Sequence, residues 1–169
     1  MVRTGRTTHA HDGDVVVFLI GMRINSPWRV RAWLPVLLAM PGVLRELAAH
    51  PEHGALGART CLGAGGPFVV QYWRDAESLH AYAHLDGGLH RRAWQRFNAR
   101  ARAARGAVGI WHETYAVPAG HHESVYVDTP PLGLAAATRS VPVARGRERA
   151  DQRMRLRGAH DHPREGASA

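Results

Sequence analysis

The chain has 169 residues with a hydrophobic fraction of 45%, which is enough for one packed domain. Its single cysteine, Cys61, excludes an internal disulfide framework and a thiolate metal cluster. The net charge of +8 comes from 22 basic residues that are all arginine, a bias more typical of coding preference than of nucleic-acid recognition.

No apolar run approaches the roughly 18 residues of a membrane span, and the polar start MVRTGRTTHAHDGD is unlike a signal peptide. We therefore expect a cytoplasmic protein with no membrane partner. Nucleic acid is not an expected partner either, since no recognition motif is present.

The first elements are predicted from hydrophobic patterning. Residues 1–13 are a polar leader that we expect to be disordered, and Val15–Met22 is an apolar strand buried on both faces. Ser26 as N-cap and Pro27 as first helical residue predict a helix start, followed by a kinked helix to about His50. Its buried stripe has the spacing of one helix face and consists of Leu37, Met40, Leu44 and Leu47.

The middle of the chain predicts a hairpin and two helices. Ala55–Gly63 and Pro67–Arg74 are strands around a glycine turn, and Asp75 is a natural N-cap for the helix that follows. A second helix is predicted over Leu89–Arg105, with Trp94 on its buried side.

The last predicted strand starts at Ala107 and ends before Pro118. The order β–α–β–β–α–β predicts an α+β fold of the ferredoxin-like, split βαβ type, a four-stranded antiparallel sheet with helices on one face. We place this domain at residues 14–138, including a C-terminal arm, and expect residues 139–169 to be a disordered basic tail. Because the first strand is apolar on both faces, we expect a homodimer that buries the uncovered face.

The stretch Ala107–Val127 carries the candidate catalytic residues His112, Glu113 and Tyr115. A regular strand puts His112 on the face of Val108 and Ile110, whereas Glu113 and Tyr115 point the other way. Either His112 or the Glu113–Tyr115 pair therefore lines a cavity. His112 is a candidate base, haem ligand or hydrogen-bond donor, and the competing interpretation is a structural histidine.

Other polar and aromatic residues are candidates for substrate binding. Arg23 and Asn25 follow the first strand, and both are equally consistent with an ordinary loop. The aromatic candidates for a pocket wall, which core packing would explain as well, are Trp28, Trp73, Trp111 and Tyr126. His80 and His84 have helical i, i+4 spacing, but no third ligand is in register, so we predict no metal. Six further histidines are interpreted as scattered residues of polar segments: His9, His11, His121, His122, His160 and His162.

The segment Tyr72–Asn98, YWRDAESLHAYAH…LHRRAWQRFN, resembles the antibiotic biosynthesis monooxygenase group of the dimeric α/β-barrel superfamily, with His90 and Ala93 at matching places. From Val15 to about Leu134 the chain is more similar to a branch named after a monooxygenase of a fungal terpenoid pathway. The resemblance implies a cofactor-independent monooxygenase acting on a small aromatic or enolisable compound.

Two alternatives stay open. WHETYAVPAGHHESVYVDTPPLG is similar to the C-terminal part of haem-containing aldoxime dehydratases, which implies His112 as haem ligand. This chain has Thr129 where those enzymes have a second histidine. The other alternative is a non-catalytic dimeric module that binds a small hydrophobic molecule.

Overall fold

The computed structural model describes residues 1–85 and 106–154, together with Arg91 and Gln95, which are helical. A four-stranded antiparallel sheet has the order β3-β4-β2-β5. Its strands are β2 (Val15–Ile24), β3 (Ala55–Gly63), β4 (Gly66–Trp73) and β5 (Val108–Val117). The first strand of the sheet lies between the third and the fourth, so the predicted ferredoxin-like fold is confirmed.

Three helices are described on one side of the sheet: α1 (Val30–Leu37), α2 (Met40–Ala49) and α3 (Ala76–His84). The predicted kink falls between α1 and α2, where a new helix begins at Met40 with Pro41 in its first turn. The predicted N-cap at Ser26 is wrong, because a turn comes first: the Arg29 N–H donates to the Ser26 carbonyl at 3.0 Å and α1 begins at Val30. The predicted cap at Asp75 is confirmed, since it accepts from the Ser78 N–H at 2.6 Å.

The helical segment Val30–Ala49 corrects the expectation that no apolar run approaches the length of a membrane span. An 18-residue window within its 20 residues has a mean hydropathy of 1.3, so by length and composition it is long and apolar enough to cross a membrane. Within that window the charged residues are Arg45 and Glu46. In the fold, α2 packs against the sheet, and its Val43 and Leu47 side chains are buried in the core.

The core lies between the sheet and these helices. It is built from Val16, Val43, Leu47, Trp73 and Tyr82. Because side chains alternate along a strand, β2, β4 and β5 each present one set to the helices and one away from them. We call the first side the helix face, which carries Val16 and Trp73, and the second side the open face, which carries Leu19 and Trp111.

A second, three-stranded sheet has the order β6-β1-β7. Its strands are β1 (Arg3–His9), β6 (Tyr126–Thr129) and β7 (Ser140–Pro142), and the helices near it are α4 (Gly133–Ala137) and α5 (Ala150–Arg153). The prediction of a disordered leader over residues 1–13 therefore differs from the structure. The predicted disorder from residue 139 is also wrong as far as residue 154.

The physical reason is that both segments are held by backbone pairing and polar contacts. β1 pairs with β6 and β7, and Arg153 is buried in an ion pair with Glu123 at 2.9 Å. Hydrophobic patterning does not reveal such contacts. Most of the predicted helix Leu89–Arg105, including His90 and Trp94, and residues 155–169 lie outside the described residues. The 14–138 domain boundary remains a prediction.

Candidate functional site

An apolar cavity of about 120 Å³ lies between α1, α2 and the helix face of the sheet. Among the residues that line it are Ile20, Met22, Val36, Leu37, Met40, Leu44, Val69 and Ile110. The predicted helix stripe supplies three of the residues in this wall: Leu47 is buried in the core, whereas Leu37, Met40 and Leu44 line the cavity. Sequence periodicity found these residues but assigned them all to core packing.

His112 does not line this cavity, but it is adjacent to two residues that do. It is the cross-strand partner of Ile20, a lining residue, and its ring centroid is 5.7 Å from that of Phe18. Because Ile110, two residues earlier on β5, also lines the cavity, the imidazole shares the helix face with it. His112 is exposed, so it is accessible to exchange a proton with a bound molecule or with solvent.

Glu113 and Tyr115 lie on the open face. The Tyr115 hydroxyl donates to Glu113 Oε2 at 2.7 Å, and both side chains are exposed. This hydrogen bond and the carboxylate charge raise the pKa of Tyr115 above its ordinary value. The structure therefore brings two of the three predicted catalytic residues together and separates His112 from them, as regular strand alternation requires.

The two strand tryptophans have different environments. Trp73 is 0% exposed and its Nε1–H donates to Gln71 Oε1 at 3.0 Å, so it belongs to the core and not to a pocket wall as predicted. Trp111 is 37% exposed on the open face, with its ring 5.9 Å from Phe68. It lies over Gly21, where an added Cβ would come within 2.5 Å of the indole.

The other predicted binding residues do not line the cavity. Asn25 Nδ2 donates to the Gly106 carbonyl at 2.9 Å, and Arg23 is exposed beside the hairpin turn. Trp28 is 79% exposed in the turn before α1. Tyr126 belongs to the second sheet, where its hydroxyl accepts from the Ala135 N–H at 3.5 Å.

A polar cluster that the sequence did not reveal joins β1 to the loop after β5. His122 Nε2 bonds to the Gly13 carbonyl at 2.9 Å, so this nitrogen carries the proton and Nδ1 accepts from His9 Nε2, also at 2.9 Å. His9 Nδ1 in turn accepts from Ser124 Oγ at 2.8 Å. Burial, with the neighbouring His122 and His11, lowers the pKa of His9 to about 4. Sequence patterns could not show this cluster, because His9 lies more than 100 residues from its partners His122 and Ser124.

Comparisons with known proteins agree with the sequence resemblance. The chain is 33% identical over 141 residues to Monooxygenase af470 of Aspergillus fumigatus, a match that covers 75% of this chain and 48% of that protein. The chain thus spans about half the length of this curated relative.

The chain is also similar to solved structures of low sequence identity. SnoaB, a cofactor-independent oxygenase from Streptomyces nogalater, is 16% identical with a TM-score of 0.35, over 60% of this chain and 91% of its own. A dimeric ferredoxin-like protein from Bacteroides fragilis is 11% identical with a TM-score of 0.43, over 60% of this chain and 94% of its own.

A family profile described as Monooxygenase af470-like matches residues 15–134, from the first strand of the large sheet to α4. This chain belongs to the Monooxygenase af470-like family.

Proposed function

We propose that the protein is a monooxygenase that oxidises a small aromatic or enolisable compound without a cofactor, in the cavity between the helices and the sheet. The observation that carries this proposal is the placement of one imidazole, His112, on the same face of the sheet as an apolar cavity. Family membership supports the reaction class.

The chemistry requires a base, an apolar pocket and oxygen. His112 removes a proton from an acidic CH₂ group of the substrate, and the electron-rich carbanion that results reduces O₂ directly. A carbon–oxygen bond forms, the O–O bond breaks with loss of water, and the CH₂ group becomes C=O. One oxygen atom enters the product and the other leaves as water, which takes up the two hydrogens of the substrate.

The cavity limits the substrate. Its volume of about 120 Å³ is close to that of the cavity of about 150 Å³ that holds a benzene ring in another protein. Apolar side chains such as Leu37, Met40 and Val69 bind such a ring by excluding water. The reacting C–H bond would then be held at the border, beside His112.

Haem binding through His112 is the second enzymatic interpretation. Haem needs a site in the range of roughly 300–1,000 Å³ that is usual for sizeable ligands. The described cavity of about 120 Å³ does not fit it, and the Phe18 ring lies beside the imidazole that would be the axial ligand. An absorption spectrum tests this alternative directly, because a Soret band would establish haem.

The oxygenase proposal is tested by oxygen uptake with quinol-like substrates. His112→Gln removes the base and keeps a polar side chain, so we expect turnover to fall at least about 100-fold with an unchanged melting temperature. Glu113→Gln, one residue further on the opposite face, is the matched control and should retain activity. The reverse pattern would move the site to the open face, and ligand binding without oxygen uptake would indicate a non-catalytic module.

We further propose that a second copy of the chain covers the open face. Apolar side chains are left only half-buried there, among them Leu19, Phe68 and Val70, with Trp111 more exposed still. A homodimer would bury this surface. Light scattering should give twice the chain mass at micromolar concentration, and Trp111→Glu should shift it towards the monomer. A monomeric wild type would contradict the proposal.

A further inference from the structure

A turn at the end of α2 brings two imidazoles and a carboxylate together. His50, Glu52 and His53 each offer one ligand atom, and the three atoms lie within 4.8 Å of one another. His50 Nδ1 is 2.8 Å from Glu52 Oε1. A tetrahedral zinc ion with bonds of about 2.0–2.2 Å holds its ligand atoms roughly 3.4 Å apart, so this pair must separate slightly while a more distant pair closes in, and small side-chain rotations suffice for both.

The backbone that carries these ligands is fixed. Pro51 begins a 3-10 helix over Pro51–His53, which ends at Gly54 with a left-handed φ of 86°. An added Cβ at Gly54 would come within 2.6 Å of Ser78, so the turn is packed tightly on α3. The His53 ring also lies 5.3 Å from that of Tyr82, so one ligand is supported by the core.

The surroundings favour a cation. A groove of about 400 Å³ adjoins the turn, and Glu52 and His53 form part of its wall. Asp75 and Glu77 line the same groove, against one positive charge from Arg74. This places a net negative charge beside the two imidazoles and leaves space for water or a small ligand.

We propose that His50, Glu52 and His53 form a binding site for a divalent transition-metal ion such as Zn²⁺. Two histidines and one carboxylate are a donor set that zinc accepts while keeping a further position open. The metal takes the place of the hydrogen bond between His50 and Glu52 and binds the neutral imidazole and the carboxylate. The groove is then the side from which a water molecule or an anionic ligand completes the coordination.

Zinc titration of the chelator-stripped full-length protein by calorimetry tests the proposal. We expect one equivalent of Zn²⁺ to bind, and the double substitution His50→Ala/His53→Ala to abolish that binding. The matched control is His80→Ala/His84→Ala, which also removes two histidines, with rings 4.2 Å apart on α3. The control should bind as the wild type does.

Glu52→Gln gives a second readout that preserves side-chain volume and needs no new packing. It should weaken zinc binding about 10-fold at an unchanged melting temperature, since the amide lacks the charge of the carboxylate. Binding that survives the His50/His53 double substitution, or that the His80/His84 control loses equally, overturns the proposal. If the double variant does not fold, undiminished binding by Glu52→Gln overturns it as well.

Discussion

The two faces of the four-stranded sheet are made by the same strands and differ in what covers them. On the helix face Val16, Val69 and Trp73 are 3%, 2% and 0% exposed. On the open face Trp111 and Tyr115 are 37% and 51% exposed. Strand alternation decides which face a residue occupies, but only the packing of other elements decides whether that face is a core, a cavity or an interface.

The open face is itself divided. At one end α4 packs on β3, where an added Cβ on Gly57 would come within 2.8 Å of Ala137. The Tyr72 and Tyr126 hydroxyls meet beside Gly133, and burial raises the pKa of Tyr72. The second sheet and α4 thus cover this end, and the uncovered end around Trp111 and Leu19 is the part that we assign to a partner copy.

Replacing one tryptophan on each face by alanine should distinguish a core position from a surface position by the loss of stability. Trp73→Ala removes a fully buried side chain and its hydrogen bond to Gln71, and should lower the free energy of unfolding by about 3–5 kcal/mol. Trp111→Ala should cost less than about 1 kcal/mol within a single chain, because the indole is partly in solvent. Chemical denaturation of both variants at low protein concentration measures the difference. Equal losses would contradict the assignment of the two faces.

The Arg153–Glu123 pair tests whether the C-terminal segment belongs to the domain. Arg153 is 7% exposed and donates to the Glu123 carboxylate and to the carbonyls of Arg147 and Glu148. Arg153→Ala leaves these acceptors without their donor and should cost about 2–3 kcal/mol, somewhat below a fully buried pair since Glu123 is partly exposed. Arg149→Ala, which breaks an exposed pair, is the control. No drop in melting temperature would show that the segment is dispensable.

Gly21→Ala probes the close packing of the open face. The new methyl group would lie within 2.5 Å of Trp111 and 2.7 Å of Phe68, so we expect a loss of about 1–3 kcal/mol from overpacking. Combining it with Trp111→Ala should recover part of that loss, because the clashing ring is gone while the contact with the Phe68 Cβ remains. A double variant as unstable as the sum of the two single variants would show that the backbone, not the ring, sets the restriction.

Much of the fold could be predicted from the sequence because its signals are local. The hairpin of β3 and β4 and the cap at Asp75 are encoded by alternation, glycine turns and one side chain. β1 could not be found this way, because its partners are strands that lie more than 100 residues away and the strand is mostly polar. Its stability comes from long-range backbone pairing, which leaves no periodic pattern.

The site was predictable in its parts but not in their arrangement. Strand alternation correctly placed His112 on one face of the sheet and Glu113 and Tyr115 on the other face. It could not tell that Trp73 lies under the helices, or that Asn25 would bond to the Gly106 carbonyl in a loop. Those outcomes depend on which elements meet in space.

The pH dependence of stability tests the polar contacts that attach β1. The pKa of His9 is about 4 in the folded chain and about 6.5 when unfolded, so between these values the unfolded chain binds more protons. The free energy of unfolding should therefore fall as the pH decreases from about 6.5 to about 4. Because the ring is only half-buried and solvent screens it, we expect a loss of about 1–2 kcal/mol. His9→Asn should reduce the dependence of the free energy of unfolding on pH in this range. An unchanged pH dependence would show that His9 is not its cause.

The smallest expected effect concerns the Glu113–Tyr115 pair on the open face. Glu113→Gln removes a negative charge and a charged acceptor beside the phenol, so the phenolate form becomes less unfavourable. The pKa of Tyr115, raised by that carboxylate, should then move down towards its ordinary value while the melting temperature stays the same. Ultraviolet titration follows the change, and Tyr115→Phe identifies its signal among the four tyrosines.

If a second copy covers this face, the shift in the pKa of Tyr115 should be larger in the dimer than in the monomeric Trp111→Glu background, because a covered pair is less screened by water. Equal shifts in the two backgrounds would mean that the pair stays in solvent and that the interface does not reach β5 at Tyr115.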